Sequence, residues 1–317
     1  MFTEHRFKSS DGLSLYYRLY QPDRANEAHS GADTDTSGRT VLCLHGLTRN
    51  SKDFHRLAEH LSQPSHGGWR VICPDIRGRG QSEHDRNHLH YNPGWYVKDV
   101  WRLLDSEDVG EVVIIGTSLG GLMAMIMADQ RPDHIRGIVM NDIGPELPPD
   151  ALARIKRYAG KNLEAENWRS AARQARIAYE VAFPGRPDEF WDDFVRLSYR
   201  ENDQGLPEPD ADPAIGSALR KPPAVLVLVQ KLHRLGLLRR IGGVNIDPWD
   251  SFRAITMPCL LIHGELSDVL TCEIIDKMLS VNPQMKVTPV PDSGHAPMLE
   301  EPVPLDALTR FLQSLID

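Results

Sequence analysis

The chain alternates between two kinds of hydrophobic pattern. Short, nearly continuous apolar runs occur at VLCLHG (41–46), RVICPDI (70–76), EVVIIG (111–116), GIVMND (137–142) and CLLIHG (259–264), each with Gly or a polar residue at or next to its end. Runs of this kind predict strands covered on both faces of a parallel sheet. Between them the period lengthens to that of helices. Phe54, Leu57 and Leu61 share one face, as do Val97, Val100, Trp101 and Leu104, while Leu119, Leu122, Met123, Ile126 and Met127 form a wider stripe. Ahead of these, segments 3–8 and 13–20 flank Asp11-Gly12, which reads as a turn between two strands. Residues 21–39 hold almost nothing to bury and predict an exposed connection. A last strand near 285–290 and a helix near 304–315 complete the series. The repetition predicts an α/β fold with an open, mostly parallel central sheet flanked by helices.

From about 145 to 250 the alternation stops. Arg- and Ala-rich helical stretches containing Trp168, Phe183, Trp191 and Phe194 lead into the loop DQGLPEPDADP and a further helix around PAVLVLVQKLHRLGLL, after which the strand pattern resumes. An insertion of this size between two sheet strands predicts a helical cap over the strand ends. The expected organisation is a core in two parts, 1–144 and 251–317, with residues 145–250 as the cap.

Composition narrows the function. The 317 residues carry 36 Lys+Arg against 44 Asp+Glu, a net charge of -8, with the basic residues scattered among acids. Phosphate binding needs concentrated positive charge, so a nucleic-acid partner is not expected. No stretch approaches the roughly 20 apolar residues needed to span a bilayer. MFTEHRFKSSDGL is polar where a secretory signal requires an apolar region, so a cytoplasmic location without membrane insertion is the expectation. Cys43, Cys73, Cys259 and Cys272 form no CxxC pair, and the first three, lying in apolar runs, read as buried thiols rather than disulfides or zinc ligands. Nothing in the pattern specifies or excludes a homo-oligomer.

Candidate chemistry centres on Gly116-Thr117-Ser118-Leu119-Gly120, placed directly after one apolar run and directly before a helical stripe. That is the setting of a nucleophile elbow, where small glycines allow a tight strand-to-helix reversal that lifts a serine hydroxyl clear of the sheet. An alcohol needs a base to become a nucleophile near neutral pH, and the base needs an acceptor to orient it. Where such elbows occur, the acid and the histidine follow the serine in chain order. His295, after the final strand in VPDSGHAPMLEEP, is the expected base, and Asp268, in the loop HGELSD, the expected orienting acid. Asp142 is the rival acid because it ends the preceding strand in VMNDIG, and Asp292 reads as structural.

Attack on a carbonyl makes an oxyanion that must meet donors already in place. The backbone N–H groups of Leu119 and Leu47 are the expected pair, with His45 and Gly46 shaping the second loop. Candidates for substrate contact are His45, Arg49, Asn50, Trp168 and Trp191, although periodicity does not say which of Trp168, Trp191, Phe194 and Leu228 faces the site. Arg77-Gly78-Arg79-Gly80 lacks the remainder of a dinucleotide fingerprint. The tract holding His84, Asp85, His88 and His90 reads as a polar loop rather than a metal site.

These motifs, LHGLTRN, PDIRGRGQS, GTSLGG, HGELSD and SGHAPMLEEP in that order, resemble those of the α/β-hydrolase superfamily over nearly the whole chain. The sequence is most similar to its cap-bearing group of carboxylesterases, enol-lactone hydrolases and carbon-carbon hydrolases. The resemblance implies Ser118 as nucleophile, His295 as base and Asp268 as acid, the segment between Asp142 and Trp249 as the cap, and a small-molecule substrate turned over without a cofactor. Serine at the elbow, where epoxide- and halide-processing relatives have aspartate, argues against those activities. Ala296-Pro297 stands where carbon-carbon hydrolases often carry tryptophan. The expectation is therefore cleavage of a small or medium carboxylic ester. A lactone or a vinylogous diketone is the alternative, and a non-catalytic binding protein on the same fold is the third reading.

Overall fold

The computed structural model describes residues 1–22, 39–160, 165–220, 229 and 231–316. Most of the connection expected over 21–39 lies outside the described residues, as do residues 223–228 and 230 of the helix expected around 223–238, Leu228 included. Eight strands form one sheet: β1 (Phe2–Lys8), β2 (Ser14–Tyr20), β3 (Thr40–Leu44), β4 (Arg70–Pro74), β5 (Val112–Thr117), β6 (Ile135–Asn141), β11 (Cys259–Gly264) and β12 (Lys286–Val290). Their spatial order is β1-β2-β4-β3-β5-β6-β11-β12. The β1–β2 and β2–β4 pairs are antiparallel and the remaining pairs parallel. Each apolar run read from the sequence is a strand of this sheet.

Alternation along the strands sorts side chains into two cores. Leu42, Leu44, Ile72, Ile114, Ile138, Met140 and Leu261 face one side. There they pack against the helices α2 (Pro93–Ser106) and α3 (Leu119–Gln130). Val41, Cys43, Val71, Cys73, Val113, Ile115, Val139 and Ile262 face the other, under α1 (His55–Ser62) and the last helix, Pro302–Gln313. Along β3, β4, β5, β6 and β11 both faces are covered, so these strands need apolar residues at consecutive positions and their lengths are legible as nearly unbroken runs.

Between β6 and β11 the described residues hold α4 (Pro149–Tyr158), α5 (Trp168–Tyr179), α6 (Asp188–Ser198), α7 (Ala214–Arg220) and α8 (Pro248–Arg253). Two short antiparallel ladders, β7–β8 (Tyr199–Glu201 with Pro207–Pro209) and β9–β10 (Arg240–Ile241 with Val244–Asn245), interrupt a segment expected to be mainly helical. This insert has its own apolar centre of Ala171, Ala175, Phe183, Trp191, Phe194 and Val195. Polar ties bind it to the sheet loops. Asn50 Nδ2 donates to Leu197 O (3.0 Å) and Asp210 (3.2 Å), Lys52 pairs with Asp210 (3.2 Å), and Arg186 pairs with Glu301. After β11 come α9 (Cys272–Val281), whose N-cap Thr271 accepts from the Ile274 N–H, and then β12 and α10 (Pro302–Gln313). No helix among the described residues is long and apolar enough to cross a membrane.

The loop after β3 is fixed by a buried ring. His45 Nδ1 donates to Gly46 O (2.7 Å), and its Nε2 accepts from the Ile76 N–H (3.0 Å). Because Nε2 accepts, the ring is neutral. Burial pushes its pKa down to about 3, and the charges of Arg79 and Arg49 add to the fall.

Two outcomes are expected of the fold. A Cβ at Gly120 would stand 2.0 Å from Leu44 O, whereas one at Gly110 meets nothing within 4 Å. Gly120→Ala should therefore lower stability by about 3 kcal/mol or more, and Gly110→Ala by less than about 1 kcal/mol, in chemical denaturation. Equal stability of the two variants would refute the close contact. For His45, the unfolded chain binds a proton below about pH 6.5 that the folded chain refuses until about pH 3. This contribution is therefore present above pH 6.5 and lost as the pH falls, by about 2 kcal/mol between pH 7 and 5. In urea unfolding, His45→Gln should be less stable at pH 7 yet show a shallower slope with pH. A slope equal to that of the unsubstituted protein would count against the buried neutral ring.

Candidate active site

Ser118 joins β5 to α3 at φ 52°, ψ -112°, a left-handed conformation that costs a non-glycine residue strain and persists only where its surroundings hold it. They do so here by close approach. A Cβ at Gly116 would lie 2.3 Å from the Gly120 backbone, so Gly116 and Gly120 admit the crossing of strand and helix that the reversal requires. The Ser118 N–H donates to Asn141 O (3.0 Å), which ties the elbow to the end of β6. The Ser118 hydroxyl is 2.8 Å from His295 Nε2, so the sequence-predicted nucleophile and base are brought together across 177 residues.

The carboxylate that meets His295 is not the expected Asp268. His295 Nδ1 donates to Asp142 Oδ2 at 2.8 Å. Asp268 instead forms a two-pronged ion pair with Arg154 of α4 (2.6 and 2.7 Å), linking the insert to the loop after β11. The cause is a backbone crossing. A Cβ at Gly264 would stand 2.5 Å from Ser293 O and Gly294 O, so the loop carrying His295 passes directly over the end of β11. The Leu266 N–H donates to Ser293 O (2.9 Å) and holds it there. His295 is thereby carried toward the end of β6, where Asp142 follows Asn141 in a left-handed conformation of its own (φ 55°).

The loop expected to supply the acid supplies donors to it. Asp142 Oδ1 accepts from the Gly264 N–H (3.0 Å) and His263 Nδ1 (3.2 Å), and Oδ2 accepts from Ser267 Oγ (2.6 Å) as well as His295. The Ser267 oxygen accepts in turn from the Val269 and Leu270 N–H groups (3.2 Å each), so its proton is left to point at Asp142. Burial alone would raise the Asp142 pKa. Hydrogen bonds from His263, His295 and Ser267 outweigh it and hold the carboxyl below its ordinary value. It is thus an anion able to fix the imidazole tautomer that leaves Nε2 free to accept the serine proton.

Leu47 and Leu119 both border the cavity above Ser118. Leu119 is the first residue of α3, where a helix leaves its N–H groups without intrahelical acceptors. Of the residues expected to touch substrate, Arg49 lines this cavity, gripping Asp53 with two bonds (2.8 and 2.6 Å) and lying 4.2 Å from the Phe194 ring centroid. The other four do not line it. His45 is buried and its two ring nitrogens are used in the loop after β3, while Asn50 holds Asp210 and Leu197. Trp191 is enclosed in the core of the insert, and Trp168 stacks beneath Arg196 (3.9 Å).

The cavity has a volume of about 270 Å³. Its walls are chiefly apolar and come from both the sheet side, with Tyr96, Leu122 and Ile143, and the insert, with Ile155, Phe183 and Phe194. Sequence reasoning missed most of these residues. Leu122 carried a usable signal, lying one helical turn past the elbow, whereas nothing in the pattern aimed the insert residues inward. Among the described residues, Asp11, Asp85 and His90 could in principle hold a metal, their ligand atoms lying within 4.8 Å of one another. Arg77 Nη1 already sits on Asp85 (2.5 Å) and Asp11 (3.0 Å), so a guanidinium answers that charge.

Comparison with known proteins agrees with this architecture. Residues 39–302 match the family model for the alpha/beta hydrolase fold. The chain is 30% identical to a 3-hydroxybutyrate-oligomer hydrolase of Cupriavidus necator, over 86% of this chain and 88% of the relative. It is 25% identical to a 2-(acetamidomethylene)succinate hydrolase of Mesorhizobium japonicum, over 88% and 89%. Among solved structures, an alpha/beta hydrolase from Novosphingobium aromaticivorans superposes with a TM-score of 0.82 at 34% identity, covering 98% of both chains. With a buried, mostly parallel sheet, a serine on the turn after β5 and a family match spanning most of its length, the chain belongs to the α/β-hydrolase superfamily.

Proposed function

We propose that this α/β-hydrolase is a serine esterase acting on small or medium carboxylic esters, with Ser118 as nucleophile, His295 as general base and acid, and Asp142 as the orienting acid. The observation that carries the reading is the continuous relay from Ser118 Oγ through His295 to Asp142, both links 2.8 Å, beside an apolar cavity. His295 Nε2 takes the serine proton as Oγ attacks the acyl carbon, and the Leu47 and Leu119 N–H groups receive the oxyanion. His295 then protonates the departing alcohol, and water repeats the sequence against the acyl-enzyme. Every group required is a side chain or backbone N–H of this chain.

Residues 145–250 act in this reading as a cap whose inward faces limit the acyl chain. A cavity of about 270 Å³ lies just below the roughly 300–1,000 Å³ of sites for drug-sized ligands, which favours short and medium acyl groups. The similarity to an enzyme named for 3-hydroxybutyrate oligomers, themselves esters, supports the same bond class.

Turnover of p-nitrophenyl esters of about two to twelve acyl carbons should peak at one chain length and vanish in Ser118→Ala. If turnover of every ester is the same with and without Ser118, the ester reading fails, and lactones and vinylogous diketones become the substrates to try. The assignment of the acid has its own test. Asp142→Asn should lower kcat by about 10⁴-fold, since the imidazole loses its tautomer control. Asp268→Asn should keep kcat within about tenfold, since it loses only a half-exposed ion pair with Arg154. Reversal of that order would return the acid's role to Asp268.

A further inference from the structure

Two arginines of the loop after β4 are fully buried, and they are served very differently. Arg77 is ringed by the carboxylates of Asp11, Asp85 and Asp99. Arg79 has no carboxylate in ion-pair reach among the described residues. Its Nε donates to Leu47 O (2.9 Å) and its Nη1 to Arg77 O (2.8 Å), and its guanidinium lies 4.6 Å from the Tyr96 ring centroid and 5.8 Å from that of Tyr91. Its Nη2 is buried with no hydrogen-bond partner among the described residues. Enclosing a cation among neutral partners is costly, and a fold tolerates it where the charge is used.

The use is suggested by what Arg79 touches. Leu47 is the expected second oxyanion donor, and the two carbonyls on either side of its Cα are both held. His45 Nδ1 pins Gly46 O, on the same peptide unit as the Leu47 N–H, and Arg79 Nε pins Leu47 O on the next. In a trans peptide the C=O and N–H point opposite ways, so a carbonyl drawn back toward His45 turns the Leu47 N–H forward. Fixing the following carbonyl removes the remaining rotation about Leu47. Tyr91 and Tyr96, the rings beneath the guanidinium, line the catalytic cavity on their other side. The positive charge therefore lies just behind the wall where negative charge would develop.

We propose that Arg79 is a positioning residue of the oxyanion site, holding the Leu47 peptide in register and favouring negative charge beside it with a buried, unneutralised guanidinium. The proposal rests on the reading of Ser118 as an acyl-transfer nucleophile. The same loop also anchors the insert, since Arg79 bridges to Ala211, the Gly80 N–H donates to Asp210 O (2.9 Å) and the Asp212 N–H to Gly78 O (2.8 Å). A test must therefore separate oxyanion stabilisation from loosening of the insert.

Arg79→Met and Arg79→Lys should be compared with the unsubstituted protein in three measurements. These are kcat and KM on the best p-nitrophenyl ester, inhibition by a trifluoromethyl ketone against the matching secondary alcohol, and the rate at which a fluorophosphonate labels Ser118. The ketone adds Ser118 to form a tetrahedral oxyanion, whereas the alcohol fills the same space without one. Arg79→Met should lower kcat about 10–100-fold with KM within threefold, and weaken the ketone by a similar factor while leaving the alcohol unchanged. Arg79→Lys, which keeps the charge and loses the planar fork, should fall between. If the Met variant does not fold, a ketone-specific loss of about threefold or more in Arg79→Lys carries the proposal. Equal weakening of ketone and alcohol, a change confined to KM, or no change in either folded variant overturns it. Should the unsubstituted protein ignore all esters yet be labelled at Ser118, the esterase reading fails. The ratio of labelling rates, expected to fall about tenfold or more in Arg79→Met, then still decides the role of Arg79.

Discussion

The Asp142 carboxylate is buried at the centre of the sheet's carboxyl edge, and it is tolerable there only because four donors meet it. An unpaired charge in that position would cost several kcal/mol. Three of the donors come from the end of β11 and its loop, the fourth from the loop after β12. Satisfying one anion thus fixes two loops relative to β6, and it fixes His295 relative to Ser118 on the turn after β5. Gly264 is part of the same constraint, since a side chain there would block the backbone crossing that carries His295 inward.

A second level of organisation surrounds that centre. The insert between β6 and β11 reaches the sheet loops through separated polar ties: Asn50 and Lys52 with Asp210, Arg154 with Asp268, Arg186 with Glu301, and the Gly294 N–H with Ala182 O (3.0 Å). The exposed members of this set are individually weak, and their combined effect is to fix where the insert sits. The cavity between insert and sheet has chiefly apolar walls, with Ser118 and His295 among the residues that line it. Apolar surroundings strengthen directed hydrogen bonds made within them.

The role expected of Asp268 in HGELSD turned on direction rather than on distance along the chain. Asp268 lies four residues past β11 and Ser267 three. A single residue of difference turns one side chain toward Asp142 and the other toward Arg154. The signal available in advance was the competing carboxylate of Asp142 at the end of β6, with Asn141 before it and glycine two residues beyond. It could be recognised as a rival acid but not ranked above Asp268, because the ranking depends on how the His295 loop crosses β11. Two of the candidates for substrate contact miss the cavity for a related reason. Trp168 and Trp191 lie in amphipathic helices of an insert that has a core of its own, so their apolar character was spent inside the insert and not over the serine.

By itself the sequence determined what depends on local period and local backbone geometry within the sheet. The five strands β3, β4, β5, β6 and β11 follow from nearly unbroken apolar runs that a doubly covered sheet requires, the elbow from glycines at 116 and 120, and the candidate serine and histidine from their places at strand ends. The tertiary structure alone decided what depends on direction across long separations. It put Asp142 rather than Asp268 against His295, gave His45 and Asn50 partners away from the cavity, and set Arg79 against the loop of Leu47. These choices turn on close backbone approaches between segments far apart in the chain, such as Gly264 against Ser293 and Gly294, and hydrophobic periodicity reports which face of an element is buried but not what that face will meet.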